Sequence, residues 1–136
     1  MKATVLVDNI SNCELESEWG LSVYIEDKER NILVDFGASD MFIRNAEKLG
    51  KDLKKIDYSF LSHGHYDHGN GIPAFLKIND RAKVYMSSTV EENCYGYDDD
   101  GNIIYEGIPE GTLGGFSERI VKVKGLNEIA EGLYTL

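Results

Sequence analysis

Ser62-His63-Gly64-His65-Tyr66-Asp67-His68-Gly69 is the stretch on which the reading of this chain turns. It holds all three histidines of the protein and, with Asp67, places four potential metal ligands within six consecutive positions. Imidazole and carboxylate are donor types shared by zinc, iron and manganese sites, and ligands close in sequence converge on an ion at little chain-closure cost. The preceding run, Tyr58-Ser59-Phe60-Leu61, reads as a buried strand. The ligands therefore sit on a strand-end loop, where a rigid sheet can fix them.

Working outward, residues 4–7 form a β-rich run, and residues 9–20 form a polar, irregular loop that ends at Trp19-Gly20. Leu21-Ser22-Val23-Tyr24-Ile25 and Asn31-Ile32-Leu33-Val34-Asp35 flank a charged turn and predict an antiparallel hairpin with one buried face, closed by Asp35-Phe36-Gly37. A helix follows, with Ser39 as N-cap, Phe42, Ile43, Ala46 and Leu49 on one face and Gly50 as the stop. Residues 52–56 form a helical hook into the strand at 58–61. Downstream, Gly69-Asn70-Gly71 bends the chain and Pro73 opens a short helix through Lys77.

Strands are expected at residues 83–86, 120–123 and 133–136, and a surface hairpin around Asp98-Asp99-Asp100-Gly101-Asn102. That acidic turn is a solvated hairpin tip, because its glycine is misplaced for an EF-hand and no glutamate closes it. Tyr85, Tyr95, Tyr97 and Tyr105 read as side chains packing a half-exposed sheet, as tyrosines at strand positions more often do, with the lining of a substrate groove as the alternative. Length fits a single domain over residues 1–136, and no repeat or linker divides it.

The formal net charge of −10 argues against a nucleic-acid or acidic-membrane binder, since phosphate affinity needs clustered Lys and Arg. Cys13 and Cys94 lie far apart without a CxxC pattern, so neither a zinc ribbon nor a dithiol centre is indicated. Cys94 reads as a small unactivated thiol. The N-terminus lacks a signal-peptide core and no apolar run approaches spanning length, which predicts a soluble, cytoplasmic protein without membrane contact.

The metal stretch, read as His63-Gly64-His65-Tyr66-Asp67-His68, resembles the H-x-H-x-D-H signature of the metallo-β-lactamase superfamily. Gly20-Leu21-Ser22, Leu33-Val34-Asp35-Phe36-Gly37 and Leu61 to Gly69 are similar to the branch that includes the dihydropterin ribofuranosylaminobenzene phosphate synthase-like proteins. The order of elements matches along essentially the whole chain. The resemblance implies an α+β fold of αββα type, of which this chain would be the N-terminal half: a mixed sheet with flanking helices. It also implies that His63 and His65 bind a first ion, that Asp67 and His68 bind a second, and that Asp35 holds the loop from behind. Asp67 would be the catalytic group, accepting a proton.

Such a site activates water and stabilises developing charge, which points to hydrolysis of a small-molecule phosphoester or related ester with one or two divalent ions, zinc foremost and iron or manganese also compatible. The family's later histidines are not matched. Gly114-Gly115-Phe116-Ser117 approximates one late segment but carries serine where a ligand would stand. The chain alone is accordingly expected to be weak or inactive, with its inner sheet face covered by a second copy or by a complementary C-terminal half. The alternative is a non-catalytic half-fold that self-associates or binds metal.

Overall fold

β-branched and aromatic residues alternate between two faces from Ser22 to Ile25 and from Ile32 to Val34, and this two-residue period favours pairing across the charged turn. The computed structural model, which describes residues 1–12 and 14–135, shows three antiparallel strands there: β1 (Lys2–Val7), β2 (Ser22–Asp27) and β3 (Arg30–Val34). Parallel neighbours require a crossover rather than a tight turn. Helix α1 (Met41–Lys48) and a 3-10 turn over Leu53–Lys55 provide the first, leading to β4 (Tyr58–Phe60). Helices α2 (Tyr66–Gly69) and α3 (Ile72–Ile78) provide the second, leading to β5 (Val84–Ser87).

A projecting hairpin of β6 (Tyr95–Tyr97) and β7 (Ile103–Tyr105) precedes β8 (Ile120–Val123), which adds to the sheet beside β5. The six-stranded order is β1-β2-β3-β4-β5-β8. A separate two-stranded ribbon, β9 (Asn127–Ala130) and β10 (Leu133–Thr135), ends the described chain. The expected α+β arrangement of a mixed sheet with flanking helices is what forms.

Register divides the sheet into two faces. Tyr24, Leu33, Ser59 and Val84 stand side by side on one, all buried. Here Phe36, Phe42 and Phe75 pack between sheet and helices, fully buried, with Phe36 ring centroids 6.3 Å from Phe42 and 5.4 Å from Phe75. Each contributes about 1.5–3 kcal/mol by burial. The other face carries the row Val5, Val23, Val34, Phe60, Tyr85 and Val121, from exposed at Val5 to half-buried across the rest. The terminal ribbon lies toward this second face: Tyr134 and Thr135 share a hollow with Phe60, Tyr85 and Val123, and Arg30 Nη1 donates to the Glu131 carbonyl at 2.8 Å.

Several local expectations change. Asp40, not Ser39, occupies the N-cap of α1, and the Ser39 hydroxyl instead accepts the Met41 amide at 3.1 Å. Leu49 falls past the helix end and is 39% exposed, because Gly50 at φ 67° turns the chain away. The second half of the histidine stretch is helical, as α2. Only Tyr85 of the four sheet tyrosines is half-buried, stacked on Phe60 at 5.5 Å; Tyr95, Tyr97 and Tyr105 are exposed, since nothing lies over their hairpin among the described residues. β9 has too few β-branched residues to announce itself. Cys94 is buried, as a small thiol would be. Cys13 and Leu136, the end of the expected last strand, lie outside the described residues.

Phe36→Ala leaves a cavity between two other rings and should cost about 3–5 kcal/mol, read as a lower urea midpoint at unchanged slope.

Candidate metal centre

β3 and β4 run parallel, so their C-terminal ends lie at one edge of the sheet, and the two loops that leave them meet. The β3 loop brings Asp35-Phe36-Gly37 and the β4 loop brings residues 61–69. The Asp35 amide donates to the Phe60 carbonyl at 2.9 Å, extending the ladder by one residue, and the Phe36 amide donates to the His68 carbonyl at 2.8 Å. Asp35 then adopts φ 58°, a left-handed conformation that aspartate tolerates better than most residues. Glu18 secures the turn from outside: its carboxylate accepts the Ala38 and Ser39 amides at 3.0 and 3.1 Å and the Ser39 hydroxyl at 2.6 Å.

The Asp35 side chain is 1% exposed and fully engaged. Oδ1 accepts the Ser62 amide at 2.8 Å, and Oδ2 accepts both the Ser62 hydroxyl and His68 Nδ1, each at 2.7 Å. A carboxylate only accepts, so His68 carries its proton on Nδ1 and leaves the Nε2 lone pair free. Ser62 spends its hydroxyl proton on Asp35, so its oxygen accepts from His63 Nδ1 at 2.9 Å. His63 Nε2 is free for the same reason. One buried carboxylate thereby presents two imidazoles in the tautomer a metal requires.

His63, Asp67 and His68 form the group whose ligand atoms lie within 4.8 Å of one another, and Asp67 Oδ2 stands 3.7 Å from His68 Nε2. Donor atoms about 2.0–2.2 Å from a common ion stand roughly 3–4 Å apart, so this donor set fits a divalent cation after small side-chain rotations. His65 lies outside the group, with its ring centroid 4.8 Å from that of His63, and its carbonyl accepts the His68 and Gly69 amides to start α2. The stretch thus gathers three of the predicted ligands closely and keeps the fourth alongside. Asp35 lies behind them, bonded to Ser62 and His68.

Sequence reasoning missed Ser62 as the link between Asp35 and His63; a hydroxyl immediately before a ligand histidine at a strand end was the available signal. Gly64 and Gly69 serve close packing rather than a left-handed turn. Neither has a positive φ; a Cβ on Gly64 would collide with the Val90 carbonyl, and one on Gly69 with the Ile108 side chain. Gly20 was unassigned, yet a Cβ there would strike the Asp67 carbonyl. The loop is packed on three sides by backbone and aliphatic side chains. Across the top, the Ile108 amide donates to the Gly64 carbonyl at 3.0 Å and the Tyr66 amide to the Glu106 carbonyl at 2.8 Å, while His65 pairs with Gly107 as an isolated β-bridge.

The sequence profile of the Metallo-beta-lactamase superfamily matches residues 20–131, from the glycine under Asp67 to the terminal ribbon. The chain belongs to this superfamily. Among solved structures, Tm1679, described as a metal-dependent hydrolase of the beta-lactamase superfamily, superimposes with a TM-score of 0.69 at 27% identity, covering 97% of this chain and 46% of its own. The metallo-beta-lactamase SMB-1 in complex with mercaptoacetic acid shares the fold at a TM-score of 0.55 and 20% identity, over 84% of this chain and 44% of its own. A protein of Methanocaldococcus jannaschii, MJ0448, is 37% identical over 68 residues, which are 50% of this chain and 27% of that protein. The chain therefore spans less than half the length of these relatives. The superfamily is metal-dependent, and the histidine–aspartate group is where this chain could hold a metal.

Partial burial of the His63 ring, and then repulsion from protonated His68 and His65, push its pKa below the ordinary histidine value. In the pH window between that lowered value and about 6.5, the unfolded chain binds a proton that the folded chain refuses, so stability rises with pH. Metal-free chain should lose urea stability as pH falls through this window, and His63→Gln should flatten the loss. Asp35→Asn keeps a residue suited to φ 58° but turns an amide donor toward His68 Nδ1, which moves the imidazole proton to Nε2. Metal affinity in competition titrations should fall about 10–100-fold, with the fold retained by circular dichroism.

Proposed function

We propose that this chain carries the metal-binding wall of a hydrolase that cleaves a phosphoester or related ester. The observation that carries this reading is the Asp35–Ser62 pair, whose bonds leave His63 and His68 with free Nε2 atoms beside the Asp67 carboxylate. A structural role alone would not require both imidazoles to present lone pairs to one point.

His63, Asp67 and His68 would hold one divalent ion, with His65 placed to take part in the same ion or a second; zinc suits the donor set best, and iron or manganese are compatible. When bound, the ion supplies Lewis acidity and a water made nucleophilic near neutral pH. Asp67, 9% exposed and 3.7 Å from His68 Nε2, would hold the ion through one carboxylate oxygen and leave the other to orient a water and take its proton. Asp35 keeps the ring of His68 from turning. His63, Asp67 and His68 would make up the three protein ligands of a catalytic zinc site, but a second ion would have only His65 left to hold it, so activity of the chain by itself is expected to be low.

A second reading concerns the partner. The row Val5, Val23, Val34, Phe60, Tyr85 and Val121 leaves an apolar sheet face that the terminal ribbon covers only in part, and its proposed cover is a second copy or a complementary half from another chain. Neither nucleic acid nor an acidic membrane suits a chain of this charge, and among the described residues no helix is long and apolar enough to cross a membrane. A cytoplasmic location remains part of the proposal.

The test combines metal analysis, sedimentation, and assays with bis(4-nitrophenyl) phosphate and 4-nitrophenyl acetate after zinc or manganese is added. Metal-dependent turnover that falls at least about 100-fold in His68→Ala is the expected outcome. Turnover without metal, or unchanged by that substitution, would sink the hydrolase reading.

A further inference from the structure

Six aromatic side chains are exposed among the described residues: Trp19, Tyr66, Tyr95, Tyr97, Tyr105 and Tyr134. The other aromatics are buried or half-buried. Exposed aromatics scattered over a surface need no explanation, but these are not scattered. Five belong to segments that touch the histidine loop, and the sixth, Tyr134, shares a hollow with the first residues of that loop.

Trp19 precedes Gly20, whose backbone lies against the Asp67 carbonyl. Tyr66 is inside the loop. Tyr95, Tyr97 and Tyr105 stand on one face of the β6–β7 hairpin, as the register Tyr95 to Tyr105 and Tyr97 to Ile103 requires. The base of that hairpin is bonded to the loop through Glu106, Gly107 and Ile108, and the Tyr105 ring folds over Gly107, the residue paired with His65. The Tyr105 hydroxyl donates to the Ile108 carbonyl at 3.2 Å, and the Tyr95 and Tyr105 rings meet edge to face at 5.4 Å. Tyr134 lines a hollow with Leu61 and Ser62, over the stacked Phe60 and Tyr85.

Charge narrows what this rim can take. The hollow with Tyr134 and the neighbouring hollow from His63 and His65 to Glu92 and Cys94 are lined by no lysine or arginine. A phosphate monoester, doubly charged near neutral pH, would find no cation there apart from a metal, and it would face Glu92. A neutral or singly charged ester with a planar apolar body loses little by that absence and gains contact area from the rings.

We propose that the aromatic rim around the histidine loop binds an aryl group of the substrate, so that the site takes aryl esters or aryl phosphodiesters ahead of alkyl ones and of phosphate monoesters. The inference rests on the hydrolase reading for the reacting group and adds the body of the molecule.

Calorimetric titration of the zinc-loaded chain with diphenyl phosphate and dimethyl phosphate tests it, because the two share charge and reacting group and differ in their rings. Diphenyl phosphate should bind at least about tenfold tighter, an effect the size of one or two aromatic contacts. Tyr95→Ser with Tyr97→Ser should reduce that preference to within about twofold at unchanged thermal stability, and Tyr95→Phe should keep it. Equal affinities that depend on zinc would overturn the aryl inference while leaving the hydrolase reading intact. A preference that survives in the metal-free chain and in His63→Ala would keep the rim and remove the hydrolase reading. No binding of either diester to zinc-loaded chain would remove both. Sedimentation of the serine variants covers the competing occupant: loss of a dimer with the aryl preference unchanged would make the rim a contact between chains and overturn the inference.

Discussion

The buried carboxylate of Asp35 is the constraint on which the rest of the site depends. A carboxylate taken out of water is costly unless its lone pairs are met, and here an amide, a hydroxyl and an imidazole meet them. The same residue continues the β3–β4 ladder through its amide and accepts the Ser22 hydroxyl on its carbonyl at 2.9 Å. Backbone and side chain are thus fixed together. The carboxylate cannot relax toward solvent without opening the edge of the sheet, so the geometry presented to a metal is set by the fold before any ion arrives.

Around this anchor the molecule relies on close approach rather than on large interfaces. The backbone at Gly64, Gly69 and Gly20 touches Val90, Ile108 and Asp67 where any side chain would intrude. Asn45 adds a similar economy at longer range: fully buried on α1, it donates to the Leu6 and Glu16 carbonyls at 2.7 and 2.9 Å and accepts the Glu16 amide at 3.1 Å. That pins the polar loop of residues 9–20 to the helix, and the loop delivers Glu18 and Gly20 to the site. Ion pairs of Arg44 and Lys48 with Glu16 reinforce it at the surface, where such pairs contribute little.

Much of this was legible in the sequence because periodicity and turn chemistry are local. The hairpin of β2 and β3, the stop at Gly50, Pro73 in the first turn of α3 and the acidic tip between β6 and β7 all follow from a few neighbouring residues. Asp35 was legible as well, since a carboxylate at a strand end before Phe36-Gly37 stood next to the loop in the family pattern. What escaped depends on residues far apart. Ser62 joins two parts of the site only because parallel pairing puts residue 35 beside residue 60, and Gly20 is required by a carbonyl 47 positions later. The exposure of Tyr95, Tyr97 and Tyr105 has the same origin, for strand propensity says which side chains share a face but not whether anything lies over it.

The bonds between the histidine loop and residues 106–108 carry a consequence for synthesis. The candidate ligands of this loop are present once residue 68 has been made, but the loop that aims them borrows its upper wall from the return strand of the projecting hairpin. A growing chain that has passed the ligands and not yet reached Ile108 holds three histidines without the clamp that organises them. Assembly of this centre therefore waits on roughly forty further residues, a delay of a few seconds at ordinary elongation rates of about 5–20 residues per second. During that interval any ion would meet a flexible peptide, and selection of a metal by geometry would begin only when the hairpin closes.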